Sequence, residues 1–143
     1  MSLMQKLLPG GAGPADTTSS LGMLILRLGA GISMSAAHGW GKLSNYGEYA
    51  EKFGDPIGLG PEVSLTLAVF AEFFCGILVA LGLTTRLAAI PLIITMLVAV
   101  LIVHAADPFQ KQELGLLYLL AYAAILLVGP GKYSVDAMLS RKS

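Results

Sequence analysis

Residues Val63–Leu83 read VSLTLAVFAEFFCGILVALGL, an apolar run with one charged side chain, Glu72, near its middle. As a helix rising about 1.5 Å per residue, this stretch is long enough to cross a hydrocarbon core about 30 Å thick. A charged group at the centre of a membrane helix costs roughly 2.5–3.5 kcal/mol on insertion scales, so a chain keeps one only where it finds a partner. The run therefore reads as a membrane span whose Glu72 faces other protein.

Three more apolar runs lie outward from it: Leu21–Gly39, Leu87–His104 and Leu114–Val128. The third is barely long enough, and the fourth needs Glu113 or Gly129–Pro130 near the interface. The whole chain agrees with lipid as the solvent. Of its 143 residues 55% are hydrophobic and 13% charged, about half the roughly 25% charge of an ordinary soluble domain. The length suits one domain, and nine basic residues cancel nine acidic ones, so net charge gives no reason to expect a nucleic-acid partner. A single thiol, Cys75, can form neither an internal disulfide nor a CxxC pair and reads as a small packing residue. The expected fold is all-α and integral to the membrane: a four-helix transmembrane bundle in the lipid bilayer.

The ends and loops follow. Residues 1–20, with Pro9-Gly10-Gly11, Pro14 and Thr17–Ser20, read as a flexible N-terminal tail, 21–137 as the membrane domain and 138–143 as a C-terminal tail. Ser35-Ala36-Ala37 resembles a signal-peptide cleavage site, but Lys6 is alone as a basic residue before it and Arg27 interrupts the apolar run, so the segment reads as a span. Lys6, Arg86, Lys132, Arg141 and Lys142 fall on one side of the bundle, against Lys42, Lys52 and Lys111 on the other. Five against three predicts both termini in the cytoplasm. In the long first outer loop Tyr46, Tyr49, Ala50 and Phe53 recur at helical spacing, opposite Glu48, Glu51 and Lys52. That pattern predicts a short amphipathic helix over the outer mouth, started by Ser44 or Asn45 and ended by Gly54 and Pro56. Trp40 beside it suits the interfacial aromatic belt.

Two charges lie inside spans. Arg27 is about 9 Å and Glu72 about 16 Å below the same surface, counted from Leu21 and Leu83 along their helices. The gap of about 7 Å is within reach of two long side chains, although the lean of helical side chains toward their own N-termini separates them. The alternatives are an Arg27–Glu72 pair fixing register, a substrate or proton role, and separate partners. Arg27, Gly31, Ser35 and His38 share a face, as do Ala68, Glu72, Gly76 and Ala80; small residues at that spacing let helices approach closely. A second group gathers near the outer surface: His38 and Lys42 end the first span, Glu62 starts the second, His104 ends the third and Glu113 starts the fourth. Such groups can protonate a quinone head group or bind an anion. No HxxH or HxxxH spacing occurs, so a metal is not expected.

In this order the residues resemble the DoxX family of small bacterial membrane proteins. The likeness runs from Arg27 and Gly31 through His38-Gly39-Trp40-Gly41-Lys42-Leu43, Phe53-Gly54, Pro56, Glu72 and Gly76. It continues through Leu81-Gly82-Leu83-Thr84-Thr85-Arg86, His104 and Glu113 to Gly129-Pro130-Gly131-Lys132-Tyr133-Ser134-Val135-Asp136. The resemblance implies a multi-pass bundle in the bacterial inner membrane, described for family members as an oxidoreductase or as a membrane subunit beside a redox partner protein. Relatives include a subunit of a thiosulfate:quinone oxidoreductase and MauE-like maturation proteins. The chain carries no nucleotide, flavin or haem motif, so electrons would come from a partner or a bound quinone. The leading expectation is a redox subunit in which His38, Glu72, His104 and Glu113 exchange protons while Lys42 and Arg27 hold the ligand. The alternatives are a proton-coupled transporter working through Glu72, which with four spans would need a homo-oligomer, and a scaffold or maturation factor docking an enzyme on the outer loop.

Overall fold

The computed structural model describes residues 2–142, and every regular element among them is helical. Among these residues four helices are long and apolar enough to cross a membrane: Thr17–Ser44, Pro61–Leu81, Thr85–Val103 and Phe109–Val128. They are spans 1 to 4. Exposed Ile25, Leu101, Leu117 and Leu127 clothe the outside, a covering that suits lipid and would be unfavourable in water. Buried Met34, Cys75, Val79, Leu92, Met96, Tyr122 and Ile125 fill the space between the spans.

The observed boundaries are set by caps that hydropathy does not see. Span 1 begins at Thr17, four residues before the apolar run, because the Asp16 carboxylate accepts from the Ser19 N–H at 2.8 Å. That hydrogen bond holds the Asp16 carboxyl below the usual carboxylate range. Span 1 then runs past Gly39 to Ser44, and span 4 starts at Phe109, taking Glu113 into the helix. The amphipathic helix of the first loop is present at Tyr46–Lys52. Asn45 occupies its cap position, but the side chain turns back to the Gly41 carbonyl and does not cap it. The Tyr46 hydroxyl ties this helix to Thr66 of span 2 at 2.6 Å.

The stretch read as a flexible tail differs most from expectation. Leu3–Leu7 is a short helix, the Gly10 N–H donates to Asp136, and the Pro14 carbonyl accepts from the Ser20 hydroxyl. At the other end Val135–Lys142 is a helix that includes most of the predicted C-terminal tail. Both terminal segments therefore pack on one end of the bundle, the terminal end; the Tyr46–Lys52 helix and the turn at 104–108 form the opposite, loop end.

Spans 1 and 2 meet closely, as their small-residue faces predict. A methyl group at Gly31 would lie 2.5 Å from the Gly76 carbonyl oxygen, and one at Gly76 would lie 2.3 Å from Ser35 Oγ. Only glycine fits this contact. Beyond it, toward the loop end, three spans change winding: Met34–Gly39, Phe70–Cys75 and Ala99–Val103 are π-helical. Such wide turns are rare and concentrate at functional sites.

Candidate functional site

Arg27 and Glu72 do not pair. They take separate partners at opposite ends of the bundle, the third alternative left open by the sequence.

At the terminal end, the Arg27 guanidinium is fully buried and donates to the carbonyls of Val79 (3.3 Å), Ala80 (3.0 Å) and Tyr133 (2.7 Å). Val79 and Ala80 lie in the last turn of span 2, where carbonyls run short of partners within the helix. Gly82 there adopts a left-handed conformation, φ 72°, while the Leu83 N–H bonds the Leu78 carbonyl, the Schellman arrangement. A side chain at Gly82 would also strike the Arg27 guanidinium. Arg86 does the same for span 4, donating to the Leu126 carbonyl at 2.9 Å and the Val128 carbonyl at 3.1 Å, and it reaches the Ala12 carbonyl as well. Asp136 completes the network. Its carboxylate accepts from the N–H groups of Thr84 and Thr85, each at 2.9 Å, from the Thr85 hydroxyl at 2.7 Å and from the Gly10 N–H at 3.0 Å. It thus caps the N-terminus of span 3 and holds Thr84 in a left-handed backbone, φ 46°, that a β-branched residue rarely adopts. Negative charge at a helix N-terminus and positive charge at two C-termini is the arrangement that helix dipoles favour. Every bond here holds the fold together.

At the loop end the polar groups surround space. A cavity of about 360 Å³ is walled by Met34, Leu67, Ala68, Met96, Ala99 and Leu114, and His38, Lys42, Glu72 and His104 reach it as well. Lys42 Nζ lies 2.6 Å from Glu72 Oε2, with both side chains mostly buried. His38 and Glu72 stand on facing π-helical stretches of spans 1 and 2, and His104 directly follows the third. These side chains thus reach the cavity from the level of the wide turns. Tyr118 of span 4 lies edge-on to the His38 ring, centroids 5.7 Å apart, and stacks on Tyr122, whose hydroxyl donates to the Ala30 carbonyl. His104 Nδ1 hydrogen-bonds Asp107 at 2.7 Å, and this bond holds the Asp107 carboxyl below the usual carboxylate range, with the charge of Lys111 adding to the effect.

Four of the six residues singled out by sequence therefore converge: His38, Lys42, Glu72 and His104. Arg27 does not line the cavity, and Glu113 is exposed on span 4 and does not line it either. Sequence reasoning missed Tyr118 and Asp107. Asp107 stands three residues from His104, close enough to have been found; Tyr118 looked like one more aromatic in an apolar run. Among the described residues no three His, Cys, Asp or Glu side chains gather as metal ligands would.

The DoxX family profile matches residues 22–105 of this chain. The chain is also similar to an uncharacterized membrane protein, Rv3486, of Mycobacterium tuberculosis, with 32% identity over 127 aligned residues, covering 67% of this chain and 74% of the relative. No solved structure matches it significantly.

Proposed function

This chain belongs to the DoxX family of membrane proteins, and from that premise we propose that it is the membrane subunit of a redox system, holding a quinone-like ligand in the loop-end cavity. The observation that supports this reading is the convergence of His38, Lys42, Glu72 and His104 on one apolar-walled space inside the bundle. Ligand sites are typically concave and mostly apolar, with a few polar groups that set orientation.

The residues suit a quinone head group. Its ring needs apolar walls, which Met34, Met96 and Leu114 supply, and its carbonyl oxygens need donors, which the Lys42 ammonium, the histidine rings and the Tyr118 hydroxyl can be. A bound quinone would supply the two-electron chemistry that no group of the chain provides. The chain's own part is to bind, orient and move protons. Glu72 pairs with Lys42 and gives its side chain a counter-charge inside the bundle. His104 and Asp107, hydrogen-bonded to each other, stand where the cavity meets the loop end and can pass a proton between it and the aqueous side. Arg27, spent on backbone carbonyls, serves the fold and not the ligand.

The test is binding. Protein purified in mild detergent should carry quinone or take it up on titration. His38→Ala and Glu72→Gln should weaken that binding about tenfold, the loss expected for one hydrogen bond involving a charged or ring donor, whereas Glu113→Gln should bind as the parent does. Absence of quinone with no uptake on titration would overturn the reading.

A further inference from the structure

Toward the loop end the cavity is partly covered by an apolar segment, with His104 and Lys111 at its edge, and it is open toward the side. Phe53, Pro56 and Ile57, from the segment after the Tyr46–Lys52 helix, line it there. That segment is anchored: the Asp55 carboxylate accepts from the Gly60 N–H at 3.0 Å, beside the start of span 2. An apolar roof of this kind is a poor doorway for a water-borne solute. The sides differ. Spans 2 and 3 pack closely where Phe70–Leu81 meets Thr85–Val98, but the Pro61–Val69 part of span 2 turns instead against Trp40–Ser44 and Tyr46–Lys52. Spans 2 and 3 therefore diverge toward the loop end. Leu67 on one and Ile94 on the other both line the cavity, yet they are 46% and 56% exposed. Val103 and Leu114 are likewise both lining and exposed, but with spans 2 and 3 apart at this level it is Leu67 and Ile94 that face each other across the gap, at the rim of an opening. Because both lie within membrane-crossing helices, that opening faces lipid.

We infer that the cavity exchanges its ligand with the bilayer through a portal between spans 2 and 3, bordered by Leu67 and Ile94, and that the ligand is an amphiphile whose apolar tail stays in the portal. Resting on the reading of the cavity as a quinone-like site, this adds that the tail is recognised as well as the head. The head meets Lys42, Glu72 and His38 at the inner end. The tail leaves between Leu67 and Ile94 and meets acyl chains, so no apolar surface is carried through water. Burial of each methylene adds to affinity, which makes a long-tailed ligand the preferred one. Small water-soluble quinones gain nothing from the portal.

The experiment uses the full chain in lipid nanodiscs and two probes: a ubiquinone bearing one isoprene unit and a ubiquinone bearing its full-length tail. Replacing both rim residues, Leu67→Trp with Ile94→Trp, narrows the opening on its lipid side and leaves the core untouched. The double variant should bind the full-length quinone about tenfold more weakly or worse, equivalent to losing the burial of a few methylenes, and the short quinone as the parent does. Unchanged binding of the full-length quinone overturns the portal. A second measurement stands apart from quinone. In a Trp40→Phe background, Ala68→Trp puts the chain's one tryptophan on the cavity wall. Quenching of its fluorescence by brominated acyl chains should exceed that by aqueous acrylamide and should fall when the rim is narrowed without adding indoles, by Leu67→Phe with Ile94→Phe. Dominant acrylamide quenching means access from water and overturns the portal. If neither quinone binds the parent chain, the ligand class fails, and the quenching alone decides the portal.

Discussion

The two ends of this bundle use the same kinds of side chain for opposite purposes. At the terminal end Arg27, Arg86 and Asp136 spend their hydrogen bonds on backbone groups of helix ends and turns, and a glycine makes room for a guanidinium. At the loop end Lys42, Glu72, His38 and His104 bond side chain to side chain or stand beside empty volume. A charge inside a membrane helix is therefore no sign of a functional site by itself. What separates the two cases is the partner: a backbone group that has no other means of satisfaction, or a cavity that a second molecule can fill.

That contrast can be broken most directly at Asp136. Asp136→Ala leaves the N–H groups of Gly10, Thr84 and Thr85, the last of them buried, and two buried arginines without their acceptor and counter-charge, so it should cost about 3–5 kcal/mol, the usual penalty for opening a buried charge network. Thermal unfolding in detergent should show a large fall in midpoint. A change within error would mean that the terminal network is ornamental.

Glu72→Gln sharpens the comparison from the other side. Lys42 loses its counter-charge but lies near the end of span 1, where its long stem can carry the ammonium to water. The stability loss should be about 1–3 kcal/mol, smaller than that of Asp136→Ala, while ligand binding falls. If the two variants unfold alike, both ends are scaffolding and the distinction collapses.

The smallest effect concerns the 104–108 turn. Asp107 has its carboxyl held below the usual range by His104, so the contact is complete at pH above that range and is lost as the pH falls through the lowered value. Carbon-detected NMR titration of this carboxyl should give a midpoint below that of an ordinary aspartate. A midpoint in the ordinary range would mean that the turn is not held this way in lipid.

Much of the fold could be read from the residues because hydropathy is a local property. An apolar run such as Val63–Leu83 declares a span whatever surrounds it, and the spacing of Gly31, Ser35 and Gly76 announces a close helix contact. The partner of Arg27 could not be read. It depends on how far span 1 is rotated and on a carbonyl at Tyr133 that folds back from the far end of the chain. The π-helical stretches left no mark in composition, since a wide turn is made from the same alanines and phenylalanines as a narrow one. Yet two of the polar residues that reach the cavity, His38 and Glu72, stand on them. Asp136 did leave a signal: it is an acid among the basic residues of the terminal end, and its neighbours in space, Thr84 and Thr85, open span 3.

The bonds of Arg27 also impose an order on biosynthesis. Two of its acceptors close span 2, and the third belongs to a residue 106 positions later. When the first helix leaves the ribosome, none of the three exists, and a guanidinium alone among acyl chains has nothing to bond. The first helix can therefore settle only in stages, its arginine gaining two acceptors when span 2 arrives and the third when Tyr133 has been translated. A nascent chain stalled before Tyr133 would hold its first crossing by two of these three bonds, which makes the turn after span 4 the latch on an insertion begun with span 1.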